Sequence, residues 1–426
     1  MSVEAAGRRY MVIVFLIWLP VGLLIAPMVL LMLERGLDLP TIAFVGAAYG
    51  VTTALLELPT GGLADVVGRR GVLILSALSS LVAMVLFGFA TTVAAFVVTA
   101  LLRGVARALG SGPPEAWYVD TVHAAAGPDV SLVPGLARGE VAASLALALG
   151  TLVGGLLPLG LGDSTGSLPA LAVPVFVAAA VEAVRVVVTL VGMPEPKHPR
   201  QQLGRVLREV PTTIVTGLRL GSRDVVLIRL LLAAAGVGVA LAAVELLTPP
   251  WLAIVTGSRE GAGLAYALVA ALGFAADAIG SSLSTRLVRS AGTPAKAAML
   301  SLAAAALALI GLAISVPATG TLGVVAAAVT YIVMFAALGA TTAPQAELLH
   351  RRIGSGERAT VLSIQSLLFM VVGTAGAIAI GFLADRYGPA LPFAVSGLVL
   401  LGASAIFLRL PTSEPPSAGS GSTPRA

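Results

Sequence analysis

Apolar residues run along this chain in long unbroken stretches, not in the mixed stripes of helices that keep one face in water. A helix needs roughly 20 predominantly apolar residues to cross about 30 Å of hydrocarbon. Runs of that length predict spans at 10–33, 41–62, 72–91, 93–112, 140–160 and 169–192, and again at 225–249, 262–284, 294–316, 321–343, 360–384 and 390–408. The first run is too long for a signal-peptide core and has no small-residue cleavage site, so it counts as a span. The longest polar stretch, 194–224, separates two sets of six. The pattern therefore predicts an all-α membrane protein of about twelve transmembrane helices in two six-helix halves. An N-terminal bundle would occupy 1–193, a linker with a short amphipathic helix 194–224, and a C-terminal bundle 225–408. A Pro-, Ser- and Gly-rich tail over 409–426 would be disordered.

The basic residues orient these spans. One side collects Arg8, Arg9, Arg69, Arg70, Arg138, the linker arginines, Arg286, Arg289, Lys296, Arg351, Arg352, Arg358, Arg409 and Arg425, while the other holds only Arg35, Arg259 and Arg386. An excess of Lys and Arg marks cytoplasmic loops. Both termini are thus expected in the cytoplasm, in a multi-pass protein of the inner (plasma) membrane. A faint repeat accompanies the two sets. Leu63 to Arg69 ends span two and Leu283 to Arg289 ends span eight, and the same offset of 220 pairs Glu57 with Asp277.

Composition narrows the chemistry. With 58% hydrophobic and 11% charged residues, the chain carries more apolar surface than a soluble protein could cover. Its 48 glycines suit helices that approach closely in lipid. The net charge of +5 comes from short loops between spans, so it reads as topology and not as a nucleic-acid surface. Cysteine is absent, and the histidines (His123, His198, His350) fall outside the predicted spans, which argues against haem, copper or thiolate metal sites. Neither Lys197 nor Lys296 sits in a phosphate-cradling loop, and no nucleophile elbow is present. No cofactor or enzymatic activity is expected. The expected partners are the bilayer and a small-molecule substrate.

Charges at membrane depth are functional candidates, since each costs several kcal/mol unless paired or hydrated. Arg103 and Arg107 are i and i+4 in span four, hence on one face. Arg107 and Glu57 fall at similar depth, which predicts an ion pair, and Arg103 is a candidate to line a cavity that binds an anion or couples to protonation. Glu182 and Arg185 are i and i+3 and should satisfy each other within span six. Glu245 and Asp277 have no basic neighbour at i±3 or i±4 and are candidates to load and release a proton. Glu115 and Asp120 fall where span four emerges, either as a gate contact or as a solvated helix end. Trp18, Tyr331 and Phe335 are candidate cavity rings.

The run Gly61-Gly62-Leu63-Ala64-Asp65-Val66-Val67-Gly68-Arg69-Arg70 resembles the signature between spans two and three of the major facilitator superfamily, with Val66 replacing the arginine of that pattern. Glu57 to Gly61, Glu115 to Asp120 and Arg358 to Ser363 resemble a drug-efflux-like bacterial branch, and Gly150 to Pro158 partly resembles an antiporter element. The resemblance implies a secondary transporter that alternates access to a small organic molecule, coupled to protons, working as a monomer, with efflux first and metabolite uptake or a non-transporting receptor as alternatives. It further implies gating by Gly61, Asp65, Gly68, Arg69 and Arg70. Asp65 would dock at the end of span eleven in the outward-facing state, and the two arginines would pair with nearby acids.

Overall fold

Hydrocarbon offers the backbone no hydrogen-bond partners, so a spanning segment must satisfy its own amides and carbonyls. The computed structural model, which describes residues 1–127, 130, 132–161, 168–194, 225–350 and 358–409, meets that demand with helices. In chain order they are α1 (Val3–Ile25), α2 (Pro27–Glu34), α3 (Leu39–Val67), α4 (Arg69–Phe89), α5 (Val93–Gly110), α6 (Pro113–Ala126), α7 (Val133–Leu161) and α8 (Val173–Gly192). There follow α9 (Val225–Thr256), α10 (Arg259–Ala291), α11 (Pro294–Ser315), α12 (Gly320–His350), α13 (Arg358–Tyr387) and α14 (Ala390–Ala405). These supply 12 segments long and apolar enough to cross a membrane, as the sequence predicts. The expected linker helix and the tail beyond Arg409 lie outside the described residues.

Side-chain caps set several helix starts. Ser2, Thr92, Ser258 and Thr293 each accept a hydrogen bond from the amide three residues on, at 2.9–3.2 Å. Asp38 does the same for Thr41 ahead of α3, and hydrogen bonds from the Thr41 side chain and amide hold its carboxyl below the usual range.

Several boundaries differ from the sequence expectation, among them those of spans one, two and seven. The first span begins at Val3 instead of residue 10 and breaks at Ala26, because Pro27 has no amide to continue the ladder and opens α2 instead. Span seven does not stop at 249 but runs through Pro249 and Pro250 to Thr256. The signature between spans two and three is not a loop: residues 61–67 finish α3, and Gly68 alone separates it from α4. Gly68 has φ +98°, a left-handed conformation that side chains with a Cβ rarely adopt. Bilayer thickness sets the least a span can be, not the most, so helices extend past the apolar run.

Packing follows a duplicated plan. In the first six spans α1 lies along α7, α3 along α5, and α4 along α5 and α8. In the last six α9 lies along α13, α10 along α12, and α11 along α12 and α14. The two sets meet through α3 with α13 and through α7 with α10. Helix ends fall on two faces. The near face carries Arg9 against the Gly192 carbonyl (2.9 Å), and the far face carries Trp251 against the Val316 carbonyl (3.2 Å).

Backbone meets backbone where the chain offers glycine. A Cβ on Gly22 would stand 2.6 Å from the Leu147 carbonyl oxygen and 3.0 Å from the Gly150 Cα, so α1 and α7 touch with nothing between them. Gly238 and Gly373 play the same part between α9 and α13. Gly22→Ala should therefore destabilise by about 1–3 kcal/mol in unfolding from mixed micelles, through overpacking. Gly7→Ala, with no atom within 4 Å of its added methyl, should be neutral or mildly stabilising in the same assay.

Candidate functional site

Two cavities flank the interface between the sets of spans. The first, of about 70 Å³, lies among α1, α3, α4, α5 and α8. Arg103 and Arg107 reach it from one face of α5, as their i, i+4 spacing predicts. The Arg103 guanidinium lies 5.3 Å from the Tyr49 ring centroid and donates to the Met28 sulfur at 2.9 Å. Arg107 lies 4.9 Å from the Trp18 ring centroid. Gly104 between them closes α5 onto Tyr49 and Thr52 of α3.

The expected Arg107–Glu57 ion pair does not form; among the described residues Arg107 has the Trp18 ring as its partner. Similar depth does not fix which neighbour a side chain meets, and Arg107 stands over Trp18 of α1. Glu57 stays on α3 and, among the described residues, lines neither cavity.

Glu182 and Arg185 form the intrahelical pair their spacing predicts, at 2.6 Å. Both are buried, and both also line the first cavity. Ser80 donates to the other Glu182 oxygen at 2.7 Å, and Ser76, which donates to the Ala106 carbonyl at 2.7 Å, lies 3.5 Å from the Arg185 guanidinium. Ser76 and Ser80 were not candidates. Their i, i+4 spacing on an otherwise apolar span is the signal that could have found them.

The second cavity, about 230 Å³, opens among α9, α10, α12 and α13. Asp277 lines it together with Gln345, Gln365, Thr341, Phe335 and Phe369. Both threonine hydroxyls on this stretch of α12 are spent on their own helix, Thr341 to the Leu338 carbonyl and Thr342 to the Gly339 carbonyl. The Gln345 side-chain nitrogen is buried without a protein partner, which leaves it available to a ligand or water. Gly339 packs against Asp277 itself, bringing α12 onto the acid. Glu245 lies one turn beyond Leu241 on α9 and is exposed, but it is not among the residues that line this cavity. It sits within electrostatic reach of Tyr266 and Tyr331, whose rings meet edge to face at 6.3 Å. Tyr331 donates to Thr248 at 2.9 Å, so it is a packed scaffold ring; Phe335, by contrast, does line the cavity.

At the near face, Arg69 meets Asp120 at 3.4 Å, which puts Asp120 in a helix-end contact and not in either cavity. Arg70 follows in the first turn of α4. Gly61 and Asp65 belong to α3, but their side chains lie outside the described residues. Among the described residues, glycine contacts between the two sets of spans lie from mid-span to the far face. Gly155 packs on Gly263 and Ala267, Gly381 on the Leu39–Pro40 backbone, and Gly50 on Thr374. The cavity-lining Gln345 and Gln365 lie toward the near ends of α12 and α13.

The sequence matches the model of the Major Facilitator Superfamily over residues 10–376. The chain belongs to the major facilitator superfamily. It is a multi-pass membrane transporter that sits in a lipid bilayer and takes a small-molecule substrate. Solved structures share its fold at low identity. The nucleoside transporter NupG is 14% identical with a TM-score of 0.76, covering 95% of this chain and 98% of that one. A bacterial homolog of the human lysosomal transporter Spinster, inward-facing and unoccupied, is 15% identical with a TM-score of 0.71, over 95% of each chain. A POT family transporter in complex with 5-aminolevulinic acid is 14% identical with a TM-score of 0.69, again over 95% of each. No curated protein sequence matches the chain.

The Glu182–Arg185 pair gives this transporter a direct test of its buried electrostatics. Glu182→Ala strands Arg185 away from water and should cost about 3–5 kcal/mol in micelle unfolding. The double variant Glu182→Ala/Arg185→Ala should cost clearly less than that single change.

Proposed function

We propose that this transporter exports a small organic molecule in exchange for protons, rocking its two halves about a central passage. The reading rests on one observation above all. Among the described residues, Glu245 and Asp277 have no basic partner, and Asp277 lines the cavity of the second half. A carboxylate so placed can take a proton when the passage faces one side and release it when it faces the other. The resemblance of Glu57 to Gly61, Glu115 to Asp120 and Arg358 to Ser363 to a drug-efflux-like branch supports export over uptake.

In this reading the near face is cytoplasmic, and the glycine contacts between the halves at mid-span and toward the far face support an inward-open state. Asp65, Gly61 and Gly68 with Arg69, Arg70 and Asp120 then form the cytoplasmic gate, whose contacts differ between states. The halves 1–193 and 225–408, joined by the linker 194–224, would be the rocking bodies of a monomer in the inner (plasma) membrane.

Everted vesicles test the coupling. Glu245→Gln or Asp277→Asn should lose export driven by a pH gradient yet keep exchange down the substrate's own gradient; full coupling in both variants overturns the proposal. Orientation is separately accessible, because the chain has no cysteine of its own. Ser2→Cys should react with an impermeant maleimide only in everted vesicles, and Ser258→Cys only in right-side-out ones.

A further inference from the structure

The first cavity holds more positive charge than its own acids can balance. Glu182 is the one carboxylate on its wall among the described residues, and that side chain is already engaged by Arg185 and Ser80. Arg103 and Arg107 are left with soft partners. A thioether sulfur is a weak acceptor, and aromatic faces attract a cation without neutralising it. Two guanidiniums on one helical face at membrane depth repel each other and are costly there without compensation. No protein group among the described residues supplies that compensation to either arginine.

We infer that the first cavity is an oxyanion subsite, so that the transported molecule is a small organic anion whose carboxylate or phosphate bridges Arg103 and Arg107. The planar fork of a guanidinium presents paired donors that match the two oxygens of such a group. Size agrees. At about 70 Å³ the cavity has room for a small charged head. The body of the molecule extends into the passage between the halves. Tyr49 sits beside Gly50, which packs on Thr374 of α13, so the subsite borders the interface between the halves. Trp18 and Tyr49 would flank the head with ring faces that exclude water and strengthen the ionic contact.

This inference deepens the transport reading and can fail separately from it. The chain has 3 tryptophans, so a Trp117→Phe/Trp251→Phe background leaves Trp18 as the sole reporter beside Arg107. Benzoate, phenyl phosphate, benzyl alcohol and benzylamine share a ring and differ in charge, and inorganic phosphate supplies the head alone. In a non-ionic detergent free of anionic lipid, benzoate or phenyl phosphate should change Trp18 fluorescence saturably, while the neutral and cationic probes should not. Arg103→Gln and Arg107→Gln should each weaken that response by about tenfold or more, the loss of a charge-assisted pair, and Arg103→Lys should recover part of it. Retention on gel filtration guards against misfolding in the variants. A response to inorganic phosphate but to neither organic anion assigns an inorganic cargo and overturns the organic-anion claim. Equal responses to benzyl alcohol or benzylamine, undiminished anion responses in both glutamine variants, or no response to any anion also overturn it. Proton-coupled accumulation of benzylamine in everted vesicles would sink the anion subsite while leaving antiport standing. Anion binding without flux of any probe would do the reverse.

Discussion

Hydrocarbon accepts no hydrogen bonds and solvates no charge, and almost every feature of this transporter answers that constraint. Backbone polarity is closed off inside helices, and helices are then held by proximity, since lipid tails give them no hydrophobic reason to associate. Glycines serve that end where two backbones touch, as Gly22 does on α7 and Gly238 does on α13. Polar side chains obey the same pressure. Serine and threonine hydroxyls turn back onto carbonyls of their own helices, as with Thr151 on Leu147 and Ser396 on Pro392. Glu182 finds Arg185 one turn away. Groups that escape these solutions stand out. Arg103, Arg107, Glu245 and Asp277 are ionisable, sit at membrane depth and have no oppositely charged partner among the described residues.

Duplication turns that chemistry into a machine with two parts. Each helix contact described above within the first six spans has a counterpart within the last six, and the two contacts between the sets, α3 with α13 and α7 with α10, are themselves equivalent under the repeat. Those junctions are lined by small residues, Gly155 on Gly263 and Gly50 on Thr374 among them. Flat, small-residue surfaces give little side-chain interlocking at these junctions, while buried residues of both sets join in one apolar cluster. The interiors differ. Large buried rings such as Trp251 and Phe393 on the C-terminal side, or Phe87 and Phe96 on the N-terminal side, lock each bundle internally.

How much of this the sequence carries depends on which coordinate is asked for. Position along the membrane normal is legible, because apolar run length and loop charge report it directly; the twelve spans follow from that alone. Local spacing is legible too, which is why the Glu182–Arg185 pair and the shared face of Arg103 and Arg107 are found as expected. Rotation of one helix against another is not. Glu57 and Arg107 lie at similar depth, yet Arg107 meets Trp18 of α1. The same blindness hides the cavity walls, since Ser76, Ser80 and Gln345 gain their meaning only from residues on other helices. Helix ends are misjudged for a different reason. Pro27 breaks a run that hydropathy reads as continuous, whereas Pro249 and Pro250 do not break theirs, their missing amide bonds being absorbed near the far end of α9.

The two halves thus share a backbone plan but differ in electrostatic sign. The first cavity carries surplus guanidinium, whereas the second carries the Asp277 carboxylate. With an anion in one and a proton on the other, as proposed here, cargo and coupling ion would occupy separate bundles and never compete for a group. Coupling could then not run through a shared residue. It would have to run through the one thing both ligands change, the relative stability of the two arrangements of the halves. An anion between Arg103 and Arg107 removes their mutual repulsion, and a proton on Asp277 or Glu245 removes the cost of a bare carboxylate. Either one alone eases passage through a state in which the passage is shut and dry on both sides. Exchange further requires that anion and proton favour oppositely facing arrangements, so that they do not cross together. Unliganded, both bundles keep uncompensated charge that needs water, and the passage has reason to stay open.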